Sequence, residues 1–489
     1  MAVNAAELVC DVAIIGAGFT GSMTAVHLLA DAQLDITVAL IEREDRFGQG
    51  VAYGTKEASH LLNVPTGKMS AYPDEPLHFY EWLRGHEAEC AAVGIHEVEP
   101  TTFAPRCLYG KYLQALLAEA ESRSGRLMRL RGEAVDVQPL LGGSIAVTLG
   151  DGRRVLTGKV VLALGVFPPG DPPLPDQDFL KSPAYLSTPW SAETRATLAE
   201  PGDVLILGSG LTALDLLLTL RKHKREGAIH VLSRRGLFPQ AHRAGGSHPP
   251  FVEASKLPTT LREAVRLVRR EIAEAARQGV DWRAVVDSLR PFTQAIWQNL
   301  SLKERRRFLR HLRPIWESHR HRAAPQALAV KEELEREGRL FCHRGRLVSI
   351  LPSADKMLDI TFRSYGRPDI ETHRCRYVIN CTGPECNYHK LNDPLIERLR
   401  ARKLILADPL RLGLEVSPSG ILNNGRGVAE QIFALGSALK GRLLETTAVP
   451  ELRVQAKALA ATILADFAVC RPLAFASDYE PDPAFAYEI

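Results

Sequence analysis

The stretch from residue 8 to residue 21, LVCDVAIIGAGFTG, decides the fold of this chain. Residues 8–15 form an apolar run rich in valine and isoleucine, which predicts a β-strand. The glycine pattern at residues 16–21 follows at once and leads into a helical pattern of apolar residues. The first glycine permits a tight turn, the second lets the backbone approach a pyrophosphate, and the third lets the helix pack closely on the strand. This order of elements predicts a dinucleotide-binding unit.

An acidic residue completes this unit. A second apolar strand at residues 36–41 ends in Glu42, about 20 residues after the last glycine, where a carboxylate can accept hydrogen bonds from ribose hydroxyls. The residues predicted to bind the first dinucleotide are therefore Gly16, Gly18, Phe19, Thr20, Gly21 and Glu42.

The same pattern recurs at residues 203–213, with alanine in the permitted third position of GSGLTA. The strand after the second helix, residues 228–232, ends in a serine and two arginines instead of an acid. A carboxylate there would repel a 2′-phosphate, whereas hydroxyl and guanidinium groups bind it. The sequence thus predicts an NADPH site formed by Gly208, Gly210, Thr212, Ser233, Arg234 and Arg235. Solvated loop charges are the alternative for the two arginines.

Composition excludes several other classes of protein. The chain has 489 residues, 45% of them hydrophobic and 24% charged, so two or three domains are expected. A net charge of +4 does not imply a nucleic-acid partner. Neither a membrane span nor a secretion signal is visible, and the eight cysteines form no C-x-x-C pair, which argues against a redox disulfide and a structural zinc. We expect reduced thiols and a cytoplasmic location.

Three further strands end in glycine. Residues 160–165 and 377–383 are apolar runs of the kind that cross between domains in two-dinucleotide flavoproteins, although both would also serve as plain core strands. Residues 432–435 lead into 445–451, where Pro450 and Glu451 favour a helix start that could stabilise negative charge on a cofactor. The cofactor contacts predicted from these segments are Gly165, Gly383, Gly436, Thr447 and Ala448.

A long helical stretch, about residues 257–337, is too large for a minimal dinucleotide-binding unit. The helical spacing of Leu302, Leu309, Leu312 and Trp316 predicts a packed face. For the basic residues around that face a solvated surface is the default, and an anion site is the alternative. These residues are Lys303, Arg305, Arg306, Arg307, Arg310 and Arg313.

The same stretch contains histidines and arginines that are candidates for a metal or substrate site. His311, His319 and His321 do not form a carboxylate-supported ligand set, because residues two apart in a helix lie on different faces, so no metal is expected. Arg320 and Arg322 lie just before Pro325, where a helix should end, and are the candidates to bind an acidic substrate or the NADPH phosphates.

Residues 60–74, HLLNVPTGKMSAYPD, are rich in turn formers and predict an ordered functional loop. His60, Asn63 and Lys68 are its candidate catalytic residues. His60 and Lys68 could hydrogen-bond a flavin or bound oxygen species. A structural histidine and a surface lysine are the alternative.

Motifs along nearly the whole chain together resemble the bacterial FAD/NAD(P)-binding family. They are the two glycine fingerprints, residues 60–74, Pro105-Arg106 with Tyr109-Gly110, HRHR at residues 319–322, and residues 445–453. That family is similar in plan to the amino-acid N-hydroxylating flavin monooxygenases, and it includes aspartate N-monooxygenase-like and urate hydroxylase-like enzymes. The resemblance implies FAD at the first fingerprint and NADPH at the second. It also implies that Arg106 and residues 63–69, including Met69, lie along the flavin.

The resemblance further implies a reaction in which NADPH reduces FAD and a C4a-hydroperoxyflavin passes oxygen to a substrate, most simply the amine of a small amino acid. The expected partners are therefore a small-molecule substrate and dioxygen, with the oligomeric state left open. Urate-type heterocycle hydroxylation, a flavoprotein reductase or oxidase acting with a protein partner, and a nucleotide-sensing protein without turnover remain alternatives. The lack of C-x-x-C beside either fingerprint disfavours thioredoxin-reductase-like chemistry.

The predicted fold class is α/β, with two Rossmann-like dinucleotide-binding domains and a helical insertion. We expect a discontinuous FAD domain at residues 1–195 and 376–489. It would enclose an NADPH domain at residues 196–375, which carries the insertion.

Overall fold

The computed structural model describes residues 7–243, 246–367, 369–424 and 428–469. The chain forms two compact units. The first comprises residues 1–56, 65–167 and 386–489, and the second comprises residues 57–64 and 168–385. Both are α/β, as predicted.

The first unit is built on an eight-stranded sheet in the order β14-β15-β6-β1-β2-β3, with β5 and β4 joined to β6. Its strands are β1 (Glu7–Ile15), β2 (Val38–Glu42), β3 (Leu127–Arg131), β4 (Ala134–Pro139), β5 (Ile145–Leu149), β6 (Arg154–Leu162), β14 (Ile421–Asn423) and β15 (Val428–Ala434). The five strands from β15 to β3 are parallel. Central parallel strands are covered on both faces, which explains why the last residues of β1 (12–15) and of β6 (160–162) are continuous, buried apolar runs.

The helices of the first unit are α1 (Phe19–Leu29), α2 (Gly50–Tyr53), α3 (His78–Arg84), α4 (Glu87–Ala91), α5 (Arg106–Ser124), α14 (Pro394–Ala401), α15 (Lys440–Leu443) and α16 (Val449–Val469). The two long helices α5 and α16 both pack against α1. The predicted strand, turn and helix at the N-terminus are confirmed, as is the predicted helix start near residue 450.

The second unit is built on a seven-stranded sheet in the order β12-β11-β10-β9-β8-β13-β7. Its strands are β7 (Tyr185–Leu186), β8 (Val204–Leu207), β9 (Ile229–Ser233), β10 (Leu340–Pro352), β11 (Leu358–Ser364), β12 (Ile370–Cys375) and β13 (Tyr377–Asn380). The strands from β10 to β7 are parallel, whereas β11 and β12 extend the sheet as antiparallel hairpins. The second predicted succession of strand, glycine turn and helix is thus present.

The helices of the second unit are α6 (Ala192–Thr197), α7 (Leu211–Lys222), α8 (Leu261–Arg277), α9 (Trp282–Ser288), α10 (Thr293–Asn299), α11 (Leu302–His311), α12 (Arg313–Arg320) and α13 (Pro325–Arg336). Those from α8 to α13 form the predicted helical insertion. Short 3-10 turns occur at Thr66–Lys68 and Gly436–Leu439 in the first unit and at Asp178–Lys181 and Arg290–Phe292 in the second.

The packed face predicted for residues 302–316 is wrong. Leu302 is 39% exposed, while the other three members are only partly buried. The buried face of α11 instead holds Glu304 and Phe308, whose ring meets Trp297 edge-on at 5.6 Å. The apolar periodicity fails because the helix ends at His311 and a new one begins before a proline, which shifts the helical phase.

The basic residues of the insertion mostly face solvent. Arg307 pairs with Glu304 and Arg313 with Glu317, both within one helix. Such exposed pairs contribute little to stability, and the arrangement is that of a solvated helix face.

The two units divide the chain at different positions from the sequence-based domain limits, which stay a prediction. Residues 168–195 belong to the second unit because Tyr185 and Leu186 pair with β13 and Phe179 lies in the second core. The seven cysteines within the described residues form no disulfide with one another, and Cys470 lies outside those residues. No helix among the described residues is long and apolar enough to cross a membrane.

Candidate dinucleotide-binding sites

The turn between β1 and α1 requires glycine at its first position. Gly16 has φ of +101°, and a Cβ placed there would lie 2.3 Å from the carbonyl oxygen of Ala163. The turn is also tied to the end of β2, because the backbone N–H of Ala17 donates to Glu42 Oε2 over 2.8 Å. Glu42 thereby holds the turn, and its carboxylate keeps further acceptor capacity for a ribose hydroxyl.

The N-terminus of α1 is suited to a pyrophosphate. Its N-cap, Gly18, has no side-chain capping bond, and the first turn carries no acidic residue. A Cβ at Gly18 would have only the Cα of Gly50 within 4 Å, at 3.7 Å, so the backbone is open to close approach. Uncapped N–H groups and the helix dipole together favour an anion. The next three fingerprint residues, Phe19, Thr20 and Gly21, are buried in the first turn of α1.

The start of α16 is held beside the first turn of α1. A Cβ at Gly436 would lie 3.3 Å from Thr20 Cγ2, so these two predicted contacts do meet. Gln455 accepts from the N–H of Gly436 at 3.1 Å and donates to Thr446 Oγ1 at 2.7 Å. Nothing in the sequence indicates this role for Gln455, because it arises only when α16 packs beside the turn at Gly436.

The other predicted contacts around α16 differ in exposure. Thr447 is exposed and Ala448 half-buried, just before the first turn of the helix. Gly165, three residues after the end of β6, is exposed, and its carbonyl oxygen accepts a hydrogen bond from the Ser437 hydroxyl. These groups leave backbone surface accessible to a ligand.

The first unit contains a buried hydroxyl group that could donate a hydrogen bond to a bound cofactor. Tyr109 is fully buried against Phe19, Tyr53 and Phe79. Its hydroxyl has no hydrogen-bond partner within the described ranges. Burial raises the pKa of this phenol well above its usual value, so it remains a neutral donor. Such an orphaned donor is compatible with a cofactor acceptor nearby.

The three candidate catalytic residues are divided between the two units. His60 and Asn63 belong to the second unit, while Lys68 belongs to the first and is exposed. His60 is 4% exposed, and its Nε2 lies 2.8 Å from the hydroxyl of Thr219 on α7. The Asn63 carbonyl oxygen lies 2.9 Å from His242 Nε2. Both contacts anchor residues 57–64.

The two residues expected along the flavin lie in the first unit. Met69 is buried at the end of the 3-10 turn, and Arg106 is the half-buried first residue of α5. Ser70, next to Met69, accepts at its carbonyl from Arg453 Nη1 over 3.0 Å, which links this loop to α16. Arg453 lies in the motif at residues 445–453, but its contact with Ser70 could not be predicted from the sequence.

The turn between β8 and α7 repeats the geometry of the first. Gly208 has φ of +103°, and a Cβ there would lie 2.4 Å from the carbonyl oxygen of Cys381. Gly210 has nothing within 4 Å of a Cβ position and is an N-cap without a side-chain bond, and the first turn of α7 has no acid. Thr212 is half-buried in that first turn. Gly383, just beyond β13, likewise has no atom within 4 Å of the position that a Cβ would occupy.

Ser233 at the end of β9 is engaged within its own turn. Its Oγ lies 2.9 Å from Ser209 Oγ, which in turn lies 2.6 Å from the carbonyl oxygen of Leu237. The N–H of Gly236 donates to Ser233 Oγ at 3.0 Å. Because a hydroxyl has one hydrogen, donation from Ser209 to Leu237 leaves Ser233 to donate to Ser209. Ser233 then shapes the turn.

Three arginines lie in this turn or beside it. Arg234 and Arg235 are exposed, and neither has a hydrogen bond or ion pair to any residue that the structure describes. Arg344 stands opposite Ser233 in the pairing of β9 with β10, and its guanidinium lies 3.6 Å from the ring centroid of Tyr365. The β-sheet adds this third cation from a distant part of the sequence. The arrangement can bind a phosphate group.

The two candidate substrate arginines are buried at the end of α12. Arg320 is 9% exposed and Arg322 is 5% exposed. Arg322 donates through Nη2 to Asp287 on α9, while its Nε has no hydrogen-bond partner among the described residues. Burial lowers the pKa of the Arg322 guanidinium. An orphaned buried donor beside a second arginine can accommodate an anion, while the contact with Asp287 also serves structure.

Comparisons with known proteins agree with this architecture. Residues 13–167 match the family model described as FAD-NAD(P)-binding. A sequence comparison with curated proteins found no match. The fold is similar to L-lysine 6-monooxygenase from Pseudomonas syringae, with a TM-score of 0.63, 16% identity, and coverage of 93% of this chain and 99% of that one.

Two ornithine-hydroxylating enzymes share the fold to the same degree. The ornithine hydroxylase of Pseudomonas aeruginosa aligns with a TM-score of 0.62 and 17% identity over 93% of this chain and 99% of its own. The ornithine N-hydroxylase of Kutzneria sp. 744, in a structure with reduced FAD, NADP+ and L-ornithine, gives a TM-score of 0.61 and 16% identity over 94% and 99%. At sequence identities of 16–17%, this similarity shows a shared fold and does not by itself show a shared activity.

Proposed function

From an FAD-NAD(P)-binding match over residues 13–167 and a fold shared with flavin N-hydroxylases, we propose that this chain is an FAD- and NADPH-dependent monooxygenase. Its proposed substrate is a small amine, most simply an amino acid. The observation that carries this proposal is a shared fold over 93% of this chain, together with the two glycine turns that the chain contains. FAD, when bound and reduced by NADPH, supplies the oxygen-activating chemistry. Protein groups then bind, orient and shield the reactants.

The first turn is proposed to bind the FAD pyrophosphate. The open backbone at Gly18 and the uncapped start of α1 support this assignment, since both favour a diphosphate. Glu42 would accept a ribose hydroxyl while keeping its bond to Ala17. Arg106, Met69 and the start of α16 would hold the remaining part of the cofactor.

The second turn is proposed to bind NADPH in preference to NADH. Support comes from the exposed guanidinium groups of Arg234 and Arg235 and from Arg344 on the adjacent strand. A planar guanidinium can donate two hydrogen bonds to one phosphate, which NADH lacks at the 2′ position. Ser233 contributes by fixing the turn from which both arginines project.

Arg320 and Arg322 are proposed to bind the carboxylate of the substrate. The support is the unpartnered Nε of Arg322 in a buried position close to another arginine. His60 and Asn63 are proposed as positioning residues, because each is bonded to an element of the second unit. Lys68, with its exposed ammonium group, remains the candidate to contact the flavin or oxygen.

The test is a stoichiometric assay of the FAD-loaded protein under ¹⁸O₂. NADPH consumed, peroxide released and labelled product are measured with ornithine, lysine, aliphatic diamines, aspartate and purines. The proposal expects one amine to stimulate NADPH oxidation and to acquire one labelled oxygen on nitrogen. Label on a purine carbon would favour the urate-type reaction. Peroxide accounting for all NADPH with every substrate would favour a reductase or oxidase.

Variants at the two arginines refine the same assay. Replacing either Arg320 or Arg322 by alanine should raise KM or the peroxide fraction while the FAD content stays intact, since a misplaced substrate diverts reducing equivalents to peroxide. The exposed Arg306→Ala on α11 is the matched control. Unchanged KM and coupling in both variants would remove these residues from the substrate site.

A further inference from the structure

Three histidines and a glutamate meet on one face of the second sheet. Glu371 and His373 lie two residues apart on β12, so their side chains share a face. His343 on β10 and His230 on β9 reach the same place from across the sheet. The ring centroids of the three histidines are 4.7 to 5.2 Å apart in every pair. Four potential metal ligands therefore converge from three strands.

The separation of the ligand atoms suits one ion. One ligand atom each from His343, Glu371 and His373 lies within 4.8 Å of the other two. Ligand atoms of a tetrahedral zinc ion are about 3.3–3.6 Å apart, because Zn–N and Zn–O bonds are about 2.0–2.2 Å. Small side-chain rotations would bring all three atoms into range.

The surroundings orient these groups as a ligand set. The hydroxyl of Ser364 donates to Glu371 Oε1, while Oε2 of the same carboxylate lies 3.7 Å from His373 Nε2. His343 Nε2 lies 3.0 Å from His230 Nδ1. When His343 donates this hydrogen, its Nδ1 keeps the lone pair that a metal ion needs. Outer hydrogen bonds of this kind are typical of metal-binding histidines and carboxylates.

The site is accessible. The side chains of His373 and Glu371 are 26% and 32% exposed, so an ion could enter from solvent. The ring of Phe362 stacks on His373 at 5.3 Å and packs on His343 at 5.0 Å, which limits the motion of both rings. Imidazole and carboxylate ligands together favour Zn²⁺ and neighbouring transition ions over Mg²⁺ or Ca²⁺.

We propose that His343, Glu371 and His373 form a binding site for one divalent transition-metal ion such as Zn²⁺, with His230 supporting His343 through its hydrogen bond. The ion would link β10 to β12 across the intervening β11. The site lies at the β9 to β12 side of the second sheet. The proposal does not depend on the proposed redox function. The spacing of the cysteines and of the helical histidines His311, His319 and His321 predicted no metal, and this proposal departs from that expectation.

The test uses the full FAD-loaded chain after its metals have been stripped with a chelator. Zn²⁺ is titrated in competition with a colorimetric zinc indicator, and the melting temperature is followed in parallel. The wild type should bind one equivalent at this site and melt at a higher temperature with Zn²⁺, while Mg²⁺ should have neither effect. His343→Ala, Glu371→Gln and His373→Gln should each weaken binding by roughly tenfold or more.

Controls separate the site from other histidines and from misfolding. His311→Ala removes an exposed histidine of α11 and should leave the affinity unchanged. His373→Gln keeps a polar side chain of similar size, and FAD content with circular dichroism checks the fold of each variant. Absence of stoichiometric Zn²⁺ binding by the wild type would overturn the proposal. Wild-type affinity in both His343→Ala and His373→Gln would do the same.

Discussion

Arg234 is the residue on which the proposed cofactor preference most depends. It is exposed at the end of β9, where an NADH-binding unit has an acid. A charge-assisted hydrogen bond contributes about 1.5–3 kcal/mol, so Arg234→Ala should weaken the use of NADPH by roughly tenfold to a hundredfold and leave NADH nearly unchanged. The measurement is kcat/KM of flavin reduction with each cofactor, beside the surface control Arg306→Ala. Equal losses with NADPH and NADH would indicate a structural role.

His27 on α1 should make the stability of the chain depend on pH. Its ring packs edge-on against Tyr72, and its Nε2 is buried without a partner among the described residues. Burial, and secondarily Lys457, lowers the pKa of His27 to about 4, with Asp74 opposing. The unfolded chain, with a histidine pKa near 6.5, therefore binds the proton first as the pH falls.

This histidine alone should lower the free energy of unfolding between pH 6.5 and 4, by at most about 1.4 kcal/mol per pH unit. Urea midpoints at pH 7.5 and pH 5 should thus differ less in His27→Phe than in the wild type. The exposed His311→Gln serves as control. A difference between the two pH values as large in His27→Phe as in the wild type would show that His27 is not the group responsible.

At the level of elements, the turn between β1 and α1 depends on a contact with β6. Gly16→Ala would place a methyl group 2.3 Å from the carbonyl oxygen of Ala163 in addition to the strain of a positive φ. We expect loss of most bound FAD. Gly94→Ala is the control, because Gly94 has a comparable φ of +82° but no atom within 4 Å of its Cβ position. It therefore measures the effect of backbone strain without the steric clash. Stoichiometric FAD in Gly16→Ala, measured by absorbance after gel filtration, would contradict the assignment of this turn.

The helical insertion shows how element boundaries change a sequence pattern. One helical periodicity was expected over Leu302, Leu309, Leu312 and Trp316, but the start of α12 directly before Pro314 breaks it. Phe308 is the buried apolar residue of α11, where its ring meets that of Trp297 edge-on. The burial of a side chain on a short helix is decided by its neighbours, and these are not adjacent in sequence.

At the level of the whole molecule, the two sheets allow the order of the cofactors to be tested. Residues 16–21 lie in the first unit and residues 208–236 in the second. If FAD occupies the first turn and NADPH the second, NADP+ added to the FAD-loaded chain should slow amide hydrogen exchange at residues 208–214 and 233–236. Removal of FAD should instead speed exchange at residues 16–21. Exchange mass spectrometry that gave the reverse pattern would invert the assignment.

The sequence by itself determined both glycine turns, the strands before them and the helices after them. Each depends on residues within about one turn or strand of each other, so steric and hydrogen-bonding rules act locally. Only the tertiary structure decided which distant residues meet. It placed Arg344 opposite Ser233, joined Arg322 to Asp287, and brought His343 to Glu371 and His373. These pairs depend on strand register and helix packing, which are set by burial of the whole core rather than by neighbouring residues.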